Sequence, residues 1–300
     1  MGTDSEILET LARWKEEEGS LPRPLDIYHR LMCIQTEAKS HIGVTKFSFS
    51  GEAINARIRS GTPLLGFEDL WVDWTLLRNT FEEVTALFAN YSDVLGETPK
   101  NLNELSSYSA LKEAARAWYE GASLSPWIAV SGVSEGQLGL MLSAALRPFL
   151  LSHRQALLSL VKQEHWRRGY CPICGGSPDF AFLDNESGAR WLLCSRCDAE
   201  WLFQRLECPY CGAQDNSALA YFTDDEGLYR LYVCERCHHY LKAIDLRHAG
   251  REVLFQLERF LTLDIDHQAR EKGYTPCVEV RQGEAMKRQC GATLLTKEES

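Results

Sequence analysis

The sequence predicts an α+β fold in which a helical bundle is followed by two small metal-knuckle units and a C-terminal helix. Three observations carry this. Apolar residues recur at helix spacing from residue 5 to 166, eight of the eleven cysteines form four C-x-x-C pairs, and short apolar runs separated by acidic turns lie between those pairs. The expected segments are a helical domain over 1–166, a first four-cysteine ribbon over 167–206 and a second over 207–248. A C-terminal helix over 249–275 and a flexible tail over 276–300 complete the chain.

The helices come first. Ile7, Leu8, Leu11 and Trp14 keep helix spacing up to Gly19, and Leu25, Tyr28, Leu31, Met32 and Cys33 do so after Pro22 and Pro24. Leu70, Trp71, Trp74, Leu77, Phe81, Val84, Leu87, Phe88 and Tyr91 trace a third stripe. Further helices are expected over 109–120, 134–147 and 149–166, with Pro148 dividing the last two. Short connections between such helices predict a bundle, and the aromatic stripes are read as its core. Cys33 sits in an apolar run and is expected to be buried.

The four pairs are Cys171/Cys174, Cys194/Cys197, Cys208/Cys211 and Cys234/Cys237. Two thiolates at this spacing converge on one ion, and four complete a tetrahedral sulfur shell. CPICGG at 171–176 recurs as CPYCGA at 208–213, and CSRC at 194–197 is echoed by CERC at 234–237, so the stretch is a duplicated unit. Within each unit 19 or 22 residues separate the pairs, the form of zinc ribbons and of rubredoxin-like iron knuckles. Tandem grouping is the economical one; a cross-braced grouping of first pair with third and second with fourth stays open. Pro172 and Pro209 fix φ inside the knuckles, and Gly175 and Gly212 allow the tight turn after them.

Strands are expected at 180–183, 190–193 and 201–206 in the first unit, and at 219–223, 228–233 and 240–244 in the second. Sheets this small bury too little apolar area to stand alone, so metal binding is expected to contribute to their folding. Val253, Leu254, Leu257, Phe260, Leu261 and Ile265 mark one face of the closing helix over 252–272.

The remaining features are mostly exclusions. The N-terminal segment is charged and lacks a signal-peptide core, which points away from disulfide bonding in an oxidising compartment. No apolar run is long enough to span a membrane. Net charge is −10, and residues 166–245 hold eight Lys/Arg against twelve Asp/Glu, against nucleic-acid binding. The chain lacks P-loop, G-x-G-x-x-G, G-x-S-x-G and H-E-x-x-H signatures, so no catalysis is expected. His238 and His239 follow a closed four-thiolate site and are read as packing outside it. Trp201, Tyr210 and Tyr240, beside the knuckles, are read either as partner-binding aromatics or as cover for the thin ribbon core.

GYCPICGGSP at 169–178, RWLLCSRCDAEW at 190–201, CERCHHYLK at 234–242, the third pair and LTLDIDHQAREKGY at 261–274 together resemble the formate dehydrogenase accessory proteins of the FdhE type. The helical half matches mainly in length, pattern and the short GTPLL segment at 61–65, and the charged extension after Cys277 departs from the family's usual end. The resemblance implies a cytoplasmic, non-catalytic maturation protein, rubredoxin-type iron at both ribbons and contact with the catalytic subunit of formate dehydrogenase. From the residues alone, two closed thiolate sites take iron or zinc, and a stand-alone zinc-ribbon interaction or nucleic-acid module is the competing reading.

Overall fold

The computed structural model describes residues 3–43, 49–98, 102, 105 and 107–277; the expected tail lies, from residue 278 on, outside the described residues. Helices α1 (Asp4–Glu18), α2 (Arg23–Ser40), α3 (Gly51–Ser60), α4 (Trp74–Asn90), α5 (Ser92–Leu95), α6 (Tyr108–Glu120), α7 (Ser125–Ser131) and α8 (Glu135–Leu157) come first. Their ends follow local chemistry. Thr3, Ser50, Asp73, Ser107 and Ser134 accept backbone N–H groups at N-termini, and Gly19, Gly61 and Gly121 close C-termini. The third stripe therefore starts at Trp74, where Asp73 caps it, and leaves Leu70 and Trp71 outside. The stripes form a core around α8, which packs on α2, α4 and α6. Helices α3, α5 and α7, of ten, four and seven residues, were not expected.

Two sequence expectations fail here for identifiable reasons. Pro148 does not divide α8. It removes one N–H from the helix ladder, but the carbonyl thereby freed, Ala144 O, accepts the buried Gln35 side-chain amide at 2.8 Å. The helix then ends at Leu157, and 3-10 turns at Leu158–Leu160 and Gln163–His165 lead to Trp166. Cys33 is exposed, facing away from the seam that Met32 and Gln35 bury.

Six strands follow: β1 (Pro178–Leu183), β2 (Arg190–Cys194), β3 (Glu200–Phe203), β4 (Leu219–Thr223), β5 (Tyr229–Cys234) and β6 (His239–Asp245). Each unit is a three-stranded antiparallel ribbon, as expected. The two are fused into one sheet in the order β3-β2-β1-β6-β5-β4, because β1 and β6 pair in parallel from Phe180↔Lys242 to Leu183↔Asp245. The residues of that pair are nearly all buried, as befits strands in the middle of a sheet.

The closing helix is two: α9 (Phe255–Leu261) and α10 (Leu263–Glu271), broken at Thr262. The Lys242 ammonium, buried on β6, donates to the carbonyls of Arg259 (3.0 Å) and Thr262 (3.2 Å) and to Asp266 (2.5 Å). The buried cation thus bonds carbonyls at the break, one of which, Thr262 O, also takes Asp266 N–H at 3.4 Å. Strand β7 (Thr275–Pro276) then adds to the start of β6.

One apolar cluster runs from α3, α4, α6 and α8 through Trp166 into Tyr170, Ile173, Ala181, Leu192 and Trp201 of the first ribbon. Trp166 is fully buried there and donates its indole N–H to Tyr170 O at 2.8 Å. Trp166→Ala is expected to cost about 3–5 kcal/mol. Far-UV dichroism and a knuckle-specific probe should shift to lower denaturant together, since one core serves both parts; separate transitions would show two independent units.

Candidate metal centres

The eight sulfurs gather in two groups, Cys171/Cys174/Cys194/Cys197 and Cys208/Cys211/Cys234/Cys237, each with all four Sγ atoms within 4.8 Å of one another. This is the tandem grouping, not the cross-braced one. In the first, Cys171–Cys197, Cys174–Cys194 and Cys174–Cys197 lie 3.6, 3.5 and 3.5 Å apart; in the second, Cys208–Cys237 and Cys211–Cys234 lie 3.7 and 3.6 Å apart. A sulfur tetrahedron with metal–sulfur bonds of about 2.3 Å has edges of about 3.8 Å, whereas a disulfide is about 2.05 Å. The clusters therefore match the shell of one tetrahedral ion each. Burial pushes the Cys171 and Cys197 thiols up and lifts Cys211 to about 12, whereas the hydrogen bond from Cys237 brings Cys208 down to about 5 and hydrogen bonds from the neighbouring thiols bring Cys174 down against its burial, so each cluster mixes thiol and thiolate where a central cation favours four thiolates.

All four knuckles share one backbone device. The residue after each second cysteine, Gly175, Asp198, Gly212 or His238, has φ of 73, 53, 69 or 54°. Its N–H then returns to the carbonyl of the first cysteine, at 3.0, 3.3, 2.9 and 2.8 Å in turn. This left-handed turn brings both thiols to one side. In the first cluster it also points Ile173 N–H at Cys171 Sγ (3.3 Å) and Arg196 N–H at Cys194 Sγ (3.4 Å). Glycine adopts the turn freely at two positions; Asp198 and His238 hold it against a steric preference. His238 and His239 stand outside the sulfur clusters, with His239 Nδ1 3.2 Å from Thr275 O and its ring edge-on to Tyr210.

Asp198 carries a second task. Its buried carboxylate accepts from Arg147 of α8 and from Arg259 of α9 (2.7 Å), while Arg154 Nη1 donates to its carbonyl at 3.0 Å. Burial alone would raise its pKa, but Arg147 and then Arg259 outweigh that and hold it at about 2. Arg259 also reaches Asp179 and Cys194 O, both at 2.8 Å. Arg196, between Cys194 and Cys197, donates to Tyr119 O and Trp118 O at the end of α6, its guanidinium 4.3 Å over the Trp118 ring. On the other side of the cluster, Leu64 N–H and Leu65 N–H bond Pro172 O (2.9 Å) and Ile173 O (2.8 Å), and Tyr170 Oη donates to Gly61 O. The segment GTPLL is thus a strap across the first knuckle.

Sequence reasoning named the eight cysteines and missed this clamp. One signal was available: Arg147 interrupts an apolar helix, and a charge there implies a buried partner. For Trp201, Tyr210 and Tyr240 the sequence left two readings, partner anchors or cover for the thin ribbon core, and the structure buries all three, which is the second. Trp201 donates to Arg168 O, Tyr210 to Pro178 O and Tyr240 O, and Tyr240 to Asp266, so each side chain ties the sheet to its surroundings.

Comparison with known proteins agrees with these features. The sequence model of a family described as "FdhE, central domain" matches residues 170–205, the first ribbon. A protein named "Protein FdhE homolog" from Aquifex aeolicus is 30% identical over 243 residues, covering 78% of this chain and 79% of its own. One of the same name from Pseudomonas aeruginosa is 29% identical over 70% of this chain and 66% of its own. In structure, the crystal structure of the FdhE protein from Pseudomonas aeruginosa superposes with a TM-score of 0.56 over 92% of both chains at 22% identity, so the architecture is shared.

Two outcomes follow from this geometry. Cys171, Cys174, Cys194 and Cys197 are all buried, whereas Cys211 and Cys237 are partly exposed. A chromophoric chelator should therefore release metal in two phases, and Cys208→Ser should abolish the fast one; loss of the slow phase instead would reverse the assignment. Asp198→Asn keeps the side-chain shape and its tolerance of the left-handed turn while leaving Arg147 and Arg259 short of a buried counter-charge. It should destabilise the fold by about 3–5 kcal/mol in denaturant titration, whereas Asp93→Asn at the exposed pair Arg23–Asp93 should leave the transition nearly in place.

Proposed function

The chain belongs to the FdhE family, and on that premise we propose that it is a non-catalytic accessory protein acting in the cytoplasm in the maturation of formate dehydrogenase, binding that enzyme's catalytic subunit. Each four-cysteine cluster holds one ion, rubredoxin-type iron in the working protein, with zinc the substitute that the same sulfur shell accepts. The observation that carries the reading is the closure of both clusters. Four sulfurs at tetrahedral spacing leave no coordination position for a substrate, so bound metal serves structure or one-electron exchange.

The residues around the first cluster support such a role. Ile173 N–H and Arg196 N–H stabilise negative charge on sulfur, and the Arg196 and Asp198 anchors fix the knuckle on α6, α8 and α9. A state change at the metal would thereby be felt at the helical surface. Among the described residues no helix is long and apolar enough to cross a membrane. The net charge of −10 weighs against a nucleic-acid partner.

Anaerobically purified protein should carry about two metal ions per chain and show the absorption of ferric thiolate after oxidation. Affinity-tagged chain should retain a purified formate dehydrogenase catalytic subunit, and Cys171→Ser with Cys174→Ser should lose one ion and weaken that capture. Colourless protein with full zinc occupancy under anaerobic, iron-replete expression would overturn the iron assignment, and absence of capture by metal-replete protein would overturn the partner.

A further inference from the structure

The two edges of the sheet differ. At β3, the outward Leu202 N–H is taken by Gln163 Oε1 at 3.1 Å, and the 3-10 turn holding Gln163 covers that edge. At β4 no described element covers the other edge. Glu235 N–H bonds Ala218 O and Asp224 N–H bonds Tyr229 O, so in the antiparallel register with β5 the even-numbered residues pair with that strand. Leu219, Tyr221 and Thr223 therefore turn their N–H and C=O groups outward. The sequence of β4, LAYFT, has no charge, proline or glycine, the usual means by which an edge is blunted. Tyr221 is 55% and Phe222 45% exposed, one on each face of the strand, and Leu219 lies directly across from Cys234 of the second cluster.

We propose that this open edge is a docking site for an extended peptide segment, which joins the sheet as a strand outside β4 and is apolar at alternate positions with basic residues at its ends. The charge at both ends of β4 specifies those ends: Asp215 precedes the strand, and Asp224, Asp225 and Glu226 follow it, all exposed. A second copy of this chain fits less well, since antiparallel β4 pairing sets Asp224 and Asp225 of one copy near Asp215 of the other, and like charges across a ladder destabilise it. Backbone hydrogen bonds from the three outward residues give affinity; Tyr221 and Phe222 grip side chains on the two faces. The site stands on the edge geometry, and only the identity of the peptide's owner, a client enzyme subunit, rests on the function proposed above.

The test uses the metal-loaded full chain and a labelled decapeptide of alternating valine and threonine with two basic residues at each end. Saturable binding by fluorescence polarisation is expected, with hydrogen-exchange protection gained at the amides of Leu219, Tyr221 and Thr223. Tyr221→Pro removes an outward N–H that the β5 ladder does not use, and should weaken binding roughly tenfold or more, whereas Tyr221→Phe should not. A decapeptide with acidic ends should bind comparably weakly. If Tyr221→Pro loses metal or helix signal, Thr223→Pro at the strand end takes its place. Unchanged affinity in the proline variant, absence of protection at the three amides, or a chain dimer that the variant dissolves would each overturn the proposal. Capture of the catalytic subunit by Tyr221→Pro at full strength, with no decapeptide binding to either form, removes the edge and leaves the accessory reading. Decapeptide binding at β4 with no capture by the unaltered chain does the reverse.

Discussion

Asp198 sits one residue beyond Cys197, with its side chain removed from water and two guanidiniums on its carboxylate. A buried charge of this kind is tolerable only with its partners in place, and those partners come from α8 and α9, on opposite sides of the ribbons in sequence. The same residue must also keep a left-handed backbone so that Cys194 and Cys197 face the other two thiols. Packing of the helical layer and closure of the first cluster are thus conditions on one residue. Arg196, bonded to the end of α6, and the strap over 64–65 repeat the coupling at the two flanks.

The second unit has the same local design in a looser setting. Its knuckles keep the left-handed turn at Gly212 and His238, but Cys211 and Cys237 reach the surface, and its outermost strand is largely exposed. What joins it to the rest is the parallel pairing of β1 with β6, Tyr210 reaching Pro178 O across the junction, and Lys242 holding the break between α9 and α10. Gly169 belongs to the same junction, since a Cβ there would stand 1.9 Å from Pro209 O. A duplicated sequence has therefore become an asymmetric pair, with one cluster locked in the core and one near an open sheet edge.

Local chemistry was legible in the sequence wherever a residue's role depends on near neighbours. The spacing of the eight cysteines, the glycines after CPxC, the six strands and most helices follow from rules acting over a few residues, and the strand ends match to within about three residues. The reading failed where a partner distant in sequence changes the local rule. Pro148 stays inside a helix because Gln35 takes the carbonyl it frees; the C-terminal helix breaks beside a lysine on β6; Cys33 turns outward because Met32 and Gln35 claim the buried seam.

The cysteine pattern by itself determined that this chain has two closed sulfur clusters, because four ligands at fixed spacing meet only one geometric need, and the quoted motifs pointed to its family. Tertiary structure alone decided which charged residues anchor the first cluster, that Trp201, Tyr210 and Tyr240 are buried ties, and which strand edge is left open. Those facts depend on which surfaces meet, and burial is a property of pairs of distant segments that no single segment encodes.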